Sequence, residues 1–124
     1  MRYLVSGSLI LTGVIHLLPL AGVLGHERLA ALYGIDAADP NLSILLRHRA
    51  VLFGLLGAFL VVAAFRPGWQ AVAFVAALVS VVSFLLLAWS TGGYNALVGR
   101  VVAADLVALV ALLAGAVAWW QSAT

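Results

Sequence analysis

Four long apolar runs occupy most of this chain, at residues 3–24, 40–65, 69–90 and 96–120. A helix needs about 20 apolar residues to cross the roughly 30 Å hydrocarbon core of a bilayer, and each run supplies them. The surface balance points the same way. Of 124 residues, 66% are hydrophobic and 8% charged, and the mean hydropathy is +1.23. No soluble domain of this size hides so much apolar surface, because a small fold leaves much of itself in water. The predicted solvent is lipid. The predicted fold is all-α: a single domain over residues 1–124, an up-down antiparallel four-helix transmembrane bundle with a short interfacial helix between spans 1 and 2.

The connections carry their own signals. Residues 25–41 are the one polar stretch of any length. Within it, Glu27 to Tyr33 suits two turns of helix, and Gly34 provides a left-handed stop. Asp39-Pro40 reads as an N-cap followed by proline at the first helical position. Arg66-Pro-Gly68 is a tight turn, and Thr91-Gly-Gly-Tyr-Asn95 is the last loop. Trp69, Trp89, Trp119 and Trp120 fall near predicted helix ends, where aromatic belts sit. Arg2, the run after it and Val23-Leu-Gly25 also fit the outline of a signal peptide. His16 and Pro19 inside that run favour a retained helix.

Much chemistry is excluded. The charge is six Arg against four acids, with no Lys and no Cys. Six scattered cations do not make a nucleic-acid surface. Without Cys there are no disulfides, thiolate metal sites or thiol nucleophiles. Neither nucleotide-binding glycine motif is present, and no His, Asp or Glu cluster has zinc-ligand spacing.

The ionisable residues inside the apolar runs are the functional signal. Antiparallel connections bring the end of span 1, the start of span 2, the end of span 3 and the start of span 4 to one side. Counting from those ends, His16, Arg47, His48, Arg49, Ser83, Arg100 and Asp105 all fall in the same half of the bilayer, with Tyr94 and Asn95 at its mouth. A carboxylate such as Asp105 inside a span costs about 2.5–3.5 kcal/mol on insertion scales unless it is shallow or partnered. Arg47, Arg49 or Arg100 would supply an ion pair. Guanidinium groups also match carboxylate or phosphate head groups. At about 100° per residue, Arg47, His48 and Arg49 fan over roughly 200°, so they cannot all face one pocket. Arg47 shares a face with Ala50, Gly54, Gly57 and Ala58. Small residues mark helix–helix contact in membranes, so Arg47 is expected to be interior, with His48 or Arg49 on the flank.

Three motif segments bear a family resemblance: Gly13-Val-Ile-His-Leu-Leu-Pro19, Asp39-Pro-Asn-Leu, and Arg47-His-Arg-Ala-Val-Leu-Phe-Gly54. Ser83-Phe-Leu-Leu and Gly93-Tyr-Asn95, with Arg100 and Asp105, complete the pattern. Together they resemble a family of small four-span bacterial membrane proteins, many of which carry the automatic label phosphopantetheine adenylyltransferase. That soluble fold needs a parallel sheet and an H-x-G-H phosphate motif, and this sequence has neither. More distantly, the architecture is similar to DoxX-like bundles, which are sometimes associated with quinol oxidation. The nearer resemblance implies a multi-pass protein of the bacterial inner membrane.

Several functions fit these residues. One is a binding module in which His16, Arg47, His48, Arg49, Ser83, Tyr94, Asn95, Arg100 and Asp105 receive a lipid or isoprenoid quinone. Another is an enzyme using His16 or Asp105 in proton transfer. A third is an accessory subunit with an internal charge network. His16 and His48 as paired axial ligands of a b-type haem is a further reading. The cofactor is left open. Membrane lipids are the expected surroundings, and Gly54 with Gly57 offers a close-packing face for a dimer. Arg2 and Arg66 near the termini place both ends in the cytoplasm by the positive-inside rule, once the site arginines are set aside.

Overall fold

The structure is a computed structural model and describes residues 2–36 and 38–123. It is all-helical among those residues. α1 (Arg2–Leu17) runs into a 3-10 segment (Leu18–Leu24), followed by α2 (His26–Tyr33), α3 (Pro40–Ala63), a 3-10 turn (Pro67–Trp69), α4 (Gln70–Thr91) and α5 (Ala96–Ala123). Four stretches are long and apolar enough to cross a membrane: Arg2–Leu20, Pro40–Ala63, Pro67–Thr91 and Ala96–Ser122. This architecture is compatible with an integral, multi-pass membrane protein.

The first run does not stay α-helical to Leu24. Pro19 has no N–H to give, and its ring would press on the carbonyl one turn back. The α-helix therefore stops at Leu17 and the chain continues in the tighter 3-10 form. Gly34 ends α2 at φ +65°, in the left-handed region, its N–H donating to the Ala30 carbonyl at 2.8 Å. Asp39 caps α3 by accepting from the Asn41 N–H at 3.3 Å. Asn95 does the same for α5, its Oδ1 accepting from the Val98 N–H at 2.8 Å.

In the bundle α1 lies between α3 and α5, and packs extensively on both. α4 packs on α5, and the seam between α4 and α3 is thin. The core is built from Val5 and Leu9 of α1, Leu60 and Ala63 of α3, Ala73, Phe74, Ala77 and Val81 of α4, and Ala108, Leu112 and Ala118 of α5. Alanine and glycine dominate because, without a hydrophobic drive between helices in lipid, close backbone approach is what holds a bundle together. Backbone meets backbone where Gly13 of α1 faces Gly57 of α3. A Cβ on Gly57 would stand 2.7 Å from the Gly13 carbonyl oxygen, and one on Gly13 would stand 2.9 Å from the Gly57 oxygen. Gly54 is likewise buried, under Leu20. These two glycines therefore pack inside the chain, against α1 and the 3-10 segment. Large apolar residues such as Leu55, Val72, Leu87 and Val110 cover the outside, a surface that suits lipid and not water.

Both ends of the bundle are tied by side chains. At the end carrying the termini, Ser6 Oγ donates to the Ala64 carbonyl at 2.8 Å, and Gln70 Nε2 donates to the same oxygen at 3.3 Å. That carbonyl lies just past the end of α3, where no further helical turn supplies a donor. At the other end, Leu29 and Tyr33 of α2 pack against Leu42 and Leu46 of α3 and Val98 and Val101 of α5. Asn95 Nδ2 fixes α2 from beneath, donating to the Tyr33 carbonyl at 2.7 Å.

Candidate functional site

A pocket of about 280 Å³ opens at the α2 end. Its walls are Ile15, Leu18 and Pro19 from the first span, Ala31, Leu32 and Tyr33 from α2, and Phe53 from α3. α5 closes it with Leu97, Arg100, Val101, Ala104 and Asp105. The lining is apolar apart from His16, Tyr33, Arg100 and Asp105.

His16 is 2% exposed and held at both nitrogens. Nδ1 donates to the Thr12 carbonyl at 2.9 Å. A carbonyl only accepts, so Nδ1 carries a proton, and in the neutral ring Nε2 accepts from the Ser80 hydroxyl at 2.8 Å. Phe53 packs on the ring with centroids 5.3 Å apart. Ser80 is not part of the pocket lining, so this pair braces the imidazole rather than presenting a nucleophile. One turn away on α1, Thr12 Oγ1 is buried with no hydrogen-bond partner.

Asp105 is 8% exposed, faces the pocket, and closes no ion pair or hydrogen bond among the described residues. Arg100 lines the same pocket from the exposed rim. Arg49 is held on the far side of Tyr33. It lines a smaller neighbouring cavity of about 170 Å³, and Tyr33 borders both. Its Nη1 donates to the Tyr33 hydroxyl at 2.8 Å. Its guanidinium lies over the rings of Phe53 at 4.3 Å, Tyr33 at 5.4 Å and Phe84 at 5.9 Å. Aromatic faces of this kind stabilise a cation where water is scarce.

The expectation of an inward Arg47 is corrected. Arg47 is exposed, and its Nε donates to the Val23 carbonyl at 2.9 Å on the outside of the 3-10 segment. The buried positions of α3 are Ala50, Gly54, Gly57, Leu60 and Ala63, mostly three residues apart. Toward the N-terminus Phe53, Arg49 and Leu46 are half-buried, three and four residues apart along a separate face of the helix, and Arg47 is exposed outside that set. His48 is exposed as well. With both His16 nitrogens already bonded, the two histidines do not form the axial pair that a haem would need. Ser83 is exposed and bonds its own helix at the Ser80 carbonyl, 3.0 Å away. Tyr94 is exposed in the loop, and Asn95 is a structural clamp. His16, Arg100 and Asp105 thus meet in one pocket, with Arg49 next door, while Arg47, His48, Ser83 and Tyr94 lie outside its lining.

Tyr33, Phe53 and Ser80 belong to the site but were not among its sequence candidates. Ser80 is one of several small residues along α4, with Ala73, Ala76 and Ser83, and nothing local sets it apart from them. No family model, curated protein or solved structure matches this chain.

Proposed function

We propose that this protein binds an amphipathic small molecule, a lipid or isoprenoid quinone, with its head group in the α1–α2–α5 pocket and its tail in the bilayer. The observation that carries this reading is Asp105: a buried carboxylate in the lining of an apolar-walled pocket, with no hydrogen bond or ion pair among the described residues. Ionisable groups inside membrane proteins almost always pair or serve a pathway, and a ligand would provide the missing partner. The pocket is concave, largely apolar and furnished with a few convergent polar groups, as ligand sites usually are. In the same reading the protein belongs to the bacterial inner membrane with both termini in the cytoplasm, so the pocket faces the periplasmic leaflet. The family resemblance carried by the Arg-His-Arg segment supports that location.

The test is native mass spectrometry of gently solubilised protein, with lipid extraction and an absorbance spectrum on the same sample. The expected result is a stoichiometric amphiphile that is kept in Arg47→Ala and lost in Asp105→Ala. Wild-type protein with no bound amphiphile, or one retained equally in both variants, overturns the reading.

A further inference from the structure

The donors and acceptors of the pocket specify its head group more narrowly, an inference that rests on the amphiphile-binding reading above. His16 offers nothing to a ligand while both nitrogens are committed, to Thr12 and Ser80. That leaves Asp105 as the free acceptor in the depth of the pocket and Arg100 as the donor on its rim. They lie five residues apart on α5, about 7.5 Å along the axis, and line one cavity. A group that satisfies both must donate at one point and accept at another.

Charge decides among the candidates. An anionic head such as phosphate gains from Arg100 at the rim, but only by bringing its charge into the cavity that the buried Asp105 carboxylate also lines, where like charges repel strongly. An ammonium head gains from Asp105, but it carries three N–H donors and the lining offers one carboxylate. It must also enter against the charges of Arg100 and Arg49. A hydroxyl has one proton to give and lone pairs to receive with, and it brings no charge into an apolar-walled cavity. We infer that the head group is an uncharged alcohol, its O–H donating to Asp105 in the depth while a second oxygen of the head, nearer the rim, accepts from Arg100. The ligand class is a hydroxyl-headed lipid.

Three probes that share two oleoyl chains and differ in the head test this directly: dioleoylglycerol, dioleoyl phosphatidic acid and 1,2-dioleoyl-3-aminopropane, whose head is a primary ammonium. Binding of each to the full chain in detergent micelles is measured by native mass spectrometry titration, in wild type and in Asp105→Asn. Dioleoylglycerol binds wild type at least about tenfold more tightly than phosphatidic acid, a modest return for avoiding one desolvated like-charge contact. Asparagine still accepts a hydrogen bond but carries no charge. In Asp105→Asn the affinity for phosphatidic acid rises, that for dioleoylglycerol falls as a charge-assisted bond becomes a neutral one, and the preference collapses. Wild type that prefers phosphatidic acid or the ammonium lipid, or that fails to distinguish the heads, overturns the alcohol assignment while leaving a binding pocket in place. Absence of saturable binding by all three removes the binding reading itself. The wild-type comparison stands alone if the variant does not fold.

Discussion

Replacing Gly57 by alanine adds a single methyl group where the backbones of α1 and α3 touch. The new Cβ would lie 2.7 Å from the Gly13 carbonyl oxygen, 2.9 Å from Leu17 Cγ and 3.1 Å from the Leu17 nitrogen, against an ordinary contact distance starting at 3.4 Å. Two of these three atoms are backbone, so no side chain can rotate aside. α1 and α3 must part by about 0.7 Å along this line, which forfeits roughly a quarter to a half of the dispersion well for atom pairs at the seam. Overpacking of this kind typically costs about 1–3 kcal/mol. Alanine returns up to about 1 kcal/mol through its better helix propensity, so a net loss of about 1–2 kcal/mol is expected. Gly7→Ala is the matched control, because a Cβ there meets nothing within 4 Å, and it gains about 0.5–1 kcal/mol. Stability is read by titrating dodecylmaltoside-solubilised protein with sodium dodecyl sulfate and following helicity by circular dichroism. The two chemically identical changes should differ by the overpacking cost alone, about 1–3 kcal/mol, since the propensity gain is common to both. Gly57→Ala as stable as Gly7→Ala would refute the claim that this crossing is set by backbone contact. Gly13→Ala should combine with Gly57→Ala sub-additively, since helices already parted have less left to lose.

Other outcomes can be read in the same titration. Ser80→Ala strips the partner from a buried imidazole nitrogen and should cost about 1–3 kcal/mol; no change would mean that His16 turns to another acceptor or donor. Asn95→Ala removes both the cap of α5 and the clamp on α2. It should cost about 1 kcal/mol and speed hydrogen exchange over Leu29–Tyr33 before the rest of the bundle; uniform exchange would exclude a clamp. Arg49→Lys keeps the charge but loses the planar fork and the ring contacts, for about 1–2 kcal/mol. Arg47→Ala, on the exposed flank two residues away, should stay within about 0.5 kcal/mol of wild type. Equal effects at the two arginines would contradict the assignment of Arg49 as the inward one.

The bundle was legible in the sequence because lipid imposes a simple pattern, four apolar runs separated by turn residues. Asp39-Pro40 and Gly34 are equally local signals: their meaning depends on a dihedral angle or one hydrogen bond, and no distant residue is needed to read them. The convergence of His16, Arg100 and Asp105 followed from counting residues inward from helix ends. Choosing between Arg47 and Arg49 required more, since Arg49 lies with Leu46 and Phe53 on a half-buried face of α3 separate from the buried one. A fixed face drawn through Ala50, Gly54 and Gly57 selects the wrong arginine. Tyr33 was harder still. It enters the site because α2 folds back over the bundle end, and that docking depends on Leu29 meeting residues of α3 and α5 from distant parts of the sequence. Ser80 looks like any small packing residue until His16 is seen opposite it.

The packing order of the helices has a consequence for how the protein is made. α1 emerges from the ribosome first and leans on α5, which emerges last, as extensively as on α3. Consecutive helices α3 and α4 meet only along a thin seam. The nascent chain therefore cannot complete itself one hairpin at a time: one flank of α1 must wait, facing lipid, while the later spans are synthesised and inserted. Arg100 and Asp105 ride on that final span. Closure of the bundle and completion of the pocket are a single late event, and a chain halted after α4 would leave His16 facing a gap where the wall of the site belongs.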